Sequence, residues 1–322
     1  MYYTVSHLTR FRYHKAISES VMETRMHPRS DERQRCLMFH LSVSPRSRVF
    51  SYRDHLGNQI HHFDVPGLHT QLTIIAESTV DLQGQSPLPP ALGADAWGEI
   101  DALVENGDYW EMLLPSEFAQ PTPLLHDLAR FLDVRRRDDP LTVLSQINRA
   151  LYETFDYVPR STKVDSPIDH ALELRKGVCQ DFAHIMIALV RTLGIPCRYV
   201  SGYLHHRSSD HDRSAEGATH AWVEALLPHL GWVGFDPTNS LIAGERHIRT
   251  AIGRDYADVP PTKGIYRGPT ESELTVGVRV QPSQDLPSID PARPIPEEWS
   301  VLFERAPDPP QSAFAQMQQQ QQ

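Results

Sequence analysis

The sequence predicts an α+β fold: a central helix carrying a cysteine, packed on an antiparallel sheet and preceded by a small antiparallel β domain. Three observations carry that expectation. Residues 1 to about 82 are short runs of β-branched and aromatic residues separated by turn signals. Gly177-Val178-Cys179-Gln180-Asp181-Phe182-Ala183-His184 leads into the apolar run Ile185-Met186-Ile187-Ala188-Leu189-Val190, which reads as a buried helix. From residue 198 to about 280 the chain returns to strand-like segments.

Taken in order, strands are expected over 2–13, 20–26, 36–43, 49–53, 59–65 and 71–82. Asp54-His55-Leu56-Gly57-Asn58 and Pro66-Gly67 supply turn signals between them. Short strands at this spacing predict a small sandwich or barrel over 1–83. Residues 84–139 are rich in proline and read as a connecting region with short helices, one over 124–132. Asp139-Pro140 offers an N-cap followed by proline at the first helical position. Leu144, Ile147, Leu151 and Phe155 then recur at helical spacing, so 140–155 is an amphipathic helix opening a core over 140–281.

The cysteine helix buries Phe182, Ala183, Met186, Leu189, Val190 and Leu193, and Gly194-Ile195-Pro196 ends it. Strands follow over 198–204, 220–227, 231–236, 247–252 and 273–280. From residue 282 prolines recur and the chain ends in a glutamine run, so 282–322 reads as an extended tail, disordered near its end.

Composition limits the function. Hydrophobic residues are 40%, charged residues 22%, and the net charge is −10. A globular protein of this sign repels nucleic acid and anionic membrane, so neither is expected as the main partner. Arg135-Arg136-Arg137 reads as a solvated turn. No apolar run reaches the ~18–20 residues of a membrane helix, and the first residues lack a secretory pattern. The odd number of cysteines, Cys36, Cys179 and Cys197, suggests reduced thiols and a cytoplasmic setting. No cysteine pair has metal-ligand spacing. The His- and Asp-rich stretch 204–213 reads as a polar loop near the mouth of a site, so no metal and no cofactor are expected.

The chemistry centres on Cys179. A free thiol has a pKa of ~8.5, and a helix N-terminus stabilises the thiolate. Gly177 reads as a residue permitting a tight turn and close approach of a substrate carbonyl. His220 opens an alternating strand and shares a face with Trp222 and Glu224. Asp236 ends the next strand, which a return at Gly231-Trp232 places beside the first. Singly, each is an ordinary residue. Together they read as a nucleophile, a base and an orienting carboxylate. Trp222 and Trp232 read first as core packing and second as walls of an acyl pocket.

The motifs over 177–184, 219–224 and 231–239 resemble the transglutaminase-like superfamily, specifically its bacterial branch with a β-rich N-terminal region. The stretch 253–261 and Gly264-Ile265-Tyr266-Arg267-Gly268 are similar to that branch too. The resemblance implies a papain-like α+β core with Cys179 as nucleophile, His220 as base and acid, and Asp236 as orienting carboxylate. It implies a thioester formed with a carboxamide or peptide carbonyl of a protein or peptide substrate. An amine resolves the thioester in an acyltransferase, and water in a protease or amidase. A scaffold that kept the core and lost turnover is the alternative of a different class. The Cys179 N–H is the expected first oxyanion donor. Tyr157 is a candidate for the second, beside a plain packing role. The calcium sites of animal transglutaminases have no recognisable counterpart here.

Overall fold

The computed structural model describes residues 1–84, 87–207 and 211–283. Residues 284–322 of the tail expected over 282–322, and three residues of the His- and Asp-rich loop, lie outside the described residues.

Strands β1 (Tyr2–Thr24), β2 (Gln34–Ser44), β3 (Val49–Arg53) and β4 (Gln59–Leu82) open the chain. The six expected segments are thus four strands. β1 and β4 are each continuous through a stretch where a break was expected. Between Arg12 and Glu19 their pairing shifts register without reversing the chain. A bulge bends a strand where a turn would end it, so Pro66-Gly67 marks the bend of β4 and not a reversal. β2 pairs one half of β4 and β3 pairs the other. Phe11, Ile17, Met22, Phe63, Leu72 and Ile74, drawn from both halves, share one buried core. The sheet is therefore folded over on itself, as a sandwich requires.

The middle of the chain is helical: α1 (Ala96–Asn106), α2 (Pro123–Phe131), α3 (Pro140–Thr154) and α4 (Ile168–Leu174), with the two-residue strands β5 (Asp156–Tyr157) and β6 (Lys176–Gly177). Thr122 caps α2 by accepting from Leu125 N at 3.2 Å. Asp139 caps α3 by accepting from Leu141 N at 3.1 Å and Thr142 N at 3.2 Å. Both helices carry proline in the first turn, where the missing N–H costs nothing. α4 was not expected, because its seven residues are too few to show a period.

α5 (Cys179–Thr192) is the central helix, and Cys179 through Arg191 are all buried. Beside it lie β7 (Cys197–Leu204), β8 (His220–Leu227), β9 (Gly231–Asp236), β10 (Leu241–Ile242) and β11 (His247–Gly253), antiparallel in the order β10-β9-β8-β7-β11. Alternation sorts the faces of β8. Ala221, Val223 and Ala225 join the core built on α5, while Trp222 packs with Val200 and Ile252 on the other side. The predicted α+β class and the cysteine helix on an antiparallel sheet are observed.

The chain then returns to its beginning. β12 (Thr262–Arg267) and β13 (Ser272–Ser283) pair antiparallel with the two halves of β1. The strand expected over 273–280 was grouped with the core over 140–281, and it belongs to the first sheet instead. Residues 282 and 283 lie in β13 and not in a tail. Alternation reveals a strand but not its partner, which is fixed by tertiary contact.

Two amide side chains join the sheets. β11 is an edge strand, and an open edge leaves N–H and C=O groups without partners. Gln34 donates to Arg249 O at 2.8 Å and accepts from Arg249 N at 2.8 Å. Asn58 does the same at Ile252, at 2.8 Å both ways. Each amide imitates one residue of a paired strand.

Candidate active site

Cys179 is the first residue of α5, behind the N-cap residue Val178. Asp181 builds this helix start. Its Oδ2 accepts from Val178 N at 2.8 Å and from the Thr162 hydroxyl at 2.5 Å. Burial raises the Asp181 pKa to about 6, against the pull of Thr162 and Val178. Gly177 serves this carboxylate. A methyl group there would meet Asp181 Cβ at 2.7 Å and Oδ2 at 2.8 Å. Gly177 lacks a side chain to admit Asp181, which the sequence reading did not foresee.

The structure brings Cys179, His220 and Asp236 together. All three are buried, at 4%, 4% and 0% exposure. His220 Nε2 lies 2.8 Å from Asp236 Oδ2. Its Nδ1 is buried with no hydrogen-bond partner, and Cys179 follows Asp236 in favouring charge on the ring. Burial opposes charge on His220, but Asp236 and then Cys179 outweigh it and hold the pKa up at about 10. Burial would raise the Asp236 pKa, yet His220 and His247 keep it well below the usual carboxylate range.

Asp236 is held from every side. Oδ1 accepts from Thr238 N at 3.1 Å and Asn239 N at 3.3 Å. Oδ2 accepts from Asn239 Nδ2 at 2.8 Å and faces His247 Nε2 at 3.2 Å. Sequence reasoning missed His247 because nothing distinguishes it from any histidine at a strand start. Asn239 stood inside a quoted motif, and its role needed the fold. Its Oδ1 accepts from Arg213 N at 2.8 Å and Ser214 N at 3.1 Å, which ties the 211–215 loop to the site.

Tyr157 closes another side. Its hydroxyl oxygen accepts from Ala215 N at 3.2 Å, leaving the phenolic proton to donate elsewhere. Burial and then the Cys179 charge push its pKa up, so it stays protonated. Trp222 supports the imidazoles. Its ring lies 6.1 Å from that of His220, stacked, and 5.1 Å from that of His247, edge-on. Gly202 makes room for it, since a methyl group there would meet the indole at 2.7 Å. Packing, the first reading of Trp222, is its role in the fold. Trp232 lies under the Arg198 guanidinium at 4.0 Å.

His220, Asp236 and His247 have ligand-capable atoms within 4.8 Å of one another. Both imidazoles already turn Nε2 to the same carboxylate oxygen. A cation would have to displace both, so the trio reads as a hydrogen-bond network.

Two family descriptions match the chain. The transglutaminase-like superfamily core covers residues 130–237, and the bacterial transglutaminase-like N-terminal region covers 3–81. The chain belongs to the transglutaminase-like superfamily. An uncharacterized protein of Mycobacterium leprae is 33% identical to this superfamily member over 86% of this chain and 97% of its own length. One from Mycobacterium tuberculosis strain H37Rv is 35% identical over 87% and 92%. A protein-glutamine gamma-glutamyltransferase of Pseudomonas aeruginosa is 31% identical over 39% of this chain and 20% of its own. A solved structure of a candidate cysteine protease from Cytophaga hutchinsonii shares the superfamily fold. Its TM-score is 0.66, with 22% identity over 89% of this chain and 95% of that one. Among the described residues no helix is long and apolar enough to cross a membrane.

Proposed function

We propose that this protein is a transglutaminase-like cysteine enzyme that forms a thioester at Cys179 with a carboxamide or peptide carbonyl. The observation that carries the reading is the state of the buried His220 ring: Asp236 anchors Nε2 at 2.8 Å, Nδ1 is left unpaired, and Cys179 favours charge on the ring. A base needs one nitrogen anchored and the other open to the nucleophile.

The sulfur of the Cys179 thiolate bonds to the carbonyl carbon, and the C=O electron pair moves to oxygen. The N–H of Cys179 belongs to the first turn of α5, whose N–H groups have no carbonyl partner inside the helix. That N–H and the Tyr157 hydroxyl are the donors for the oxyanion. The His220 imidazolium passes its proton to the departing nitrogen, the C–N bond breaks, and a thioester remains. His220 then takes a proton from an amine or water. The new bond to carbon forms as the C–S bond breaks, and the thiolate returns. The three free cysteines support a reducing, cytoplasmic setting.

The test is mass spectrometry of the protein quenched with glutamine-containing peptides, with and without a primary amine. An acyl adduct mapping to Cys179 is expected, lost in Cys179→Ala and reduced about 10²-fold or more in Asp236→Asn. Amine-bearing product marks transfer, and only deamidated or cleaved peptide marks hydrolysis. No adduct and no product across a broad peptide library would leave the scaffold reading.

A further inference from the structure

Two imidazoles share one oxygen of Asp236, and the triad uses only one of them. His247 approaches Oδ2 at 3.2 Å and His220 approaches it at 2.8 Å. Orientation alone does not call for the second ring. Two backbone N–H groups on Oδ1 and the Asn239 amide on Oδ2 already fix the plane of the carboxylate. We propose that His247 is a positioning residue that acts through Asp236: by donating to Oδ2 it weakens the carboxylate's hold on the His220 imidazolium, so that the proton can pass to the leaving group. This inference rests on the triad reading above.

The donor sense of His247 is set locally. Gly244 N donates to its Nδ1 at 3.3 Å, so in the neutral ring the proton sits on Nε2, facing Asp236. Burial lowers the pKa of His247, against the pull of Asp236, and keeps the ring neutral. A neutral N–H shares the oxygen's electron density without adding charge. An imidazolium gripped by an unshared carboxylate would be a poor acid, because a general acid works best with a pKa near the working pH.

The ring is also held in place. β11, which His247 opens, is pinned by the Gln34 and Asn58 amides, and Trp222 meets both imidazoles. Among the described residues, the other charged or titratable groups acting on the pair include Cys179 from α5, His206 from the β7–β8 loop, and Arg246 just before β11. Asp212 engages the last two, at 3.3 Å from His206 and 2.7 Å from Arg246.

The experiment compares alkylation of Cys179 by iodoacetate and iodoacetamide over pH about 6 to 11. The anionic reagent is favoured while His220 carries charge, so the rate ratio falls as the imidazolium is lost. In His247→Phe the midpoint of that fall is expected about half a pH unit or more higher, since a hydrogen bond to a charged group is lost. In His247→Gln, which keeps an N–H donor, the midpoint stays near that of the native protein. An unchanged or lower midpoint in His247→Phe, with the midpoint abolished in His220→Ala, would overturn the inference and leave the triad standing. A midpoint that survives in His220→Ala would sink the triad reading and this inference with it. Ring nitrogen NMR of the native protein provides a check independent of the variants' folding. His247 is expected neutral and protonated on Nε2 near neutral pH, and a charged or Nδ1-protonated ring would contradict the proposal.

Discussion

Asp181 shows how one side chain sets the position of another. Its carboxylate ties Val178 N and Thr162 together and so fixes the turn that presents Cys179. The absence of a side chain at Gly177 gives it room, at a spacing of 2.7 Å that no Cβ tolerates. Gly177→Ala is expected to displace Asp181 and cost about 1–3 kcal/mol of stability, measured by urea unfolding. Alkylation of Cys179 should slow in the same variant. Native stability and reactivity together would contradict this account. The glycine was visible in the sequence and its reason was not, because Asp181 reaches back four residues only once the helix exists.

Elements were legible where a period or a cap was long enough to read. The helix beginning at Asp139-Pro140, the cysteine helix and the strands at His220–Leu227 and Gly231–Asp236 were read correctly from pattern alone. What was missed depends on partners. β1 and β4 run through an irregular pairing that resembles two turns in sequence, and β12 is half-exposed. Cys179, His220 and Asp236 could be nominated because a helix start, a strand start and the end of the next strand present the three residue types together. His247 could not, since its meaning comes from a carboxylate on another strand. The amide clamps on β11 were equally invisible. Asn58→Leu leaves the N–H and C=O of Ile252 without partners at a buried seam and is expected to cost about 2–4 kcal/mol. A loss below about 0.5 kcal/mol on urea unfolding would show that the amide adds little to the edge.

The whole molecule is one chain folded back on itself. β12 and β13 complete the sheet begun by β1, so the first sheet cannot form fully until the transglutaminase-like core has been traversed. Buried histidines lie in both parts. His7 on β1 meets the Tyr203 hydroxyl of β7 at 2.9 Å, and His184 accepts from Tyr256 N at 3.2 Å. Burial lowers their pKa values to about 3 and about 4. Each therefore contributes stability that is present above the unfolded pKa of about 6.5 and lost as pH falls toward the folded value. Asp181, raised to about 6, runs the other way below that pH and offsets part of the loss. Stability is expected to fall on acidification from about pH 6.5 to 4, with His7 contributing up to about 1.4 kcal/mol per pH unit. Urea midpoints for His7→Gln should show a shallower slope, and an unchanged slope would mean that His7 takes up its proton in the fold as readily as in the unfolded chain.

An activated Cys179 should stand apart from the other two cysteines when alkylating reagent is limiting. Burial raises the thiols of Cys36 and Cys197 to about 11, so neither should compete for reagent near neutral pH. With limiting iodoacetamide at about pH 6.5, Cys179 should be modified at least about tenfold faster than either, and His220→Ala should abolish the preference. Equal labelling of the three cysteines, or a preference that survives His220→Ala, would contradict an activated nucleophile at Cys179.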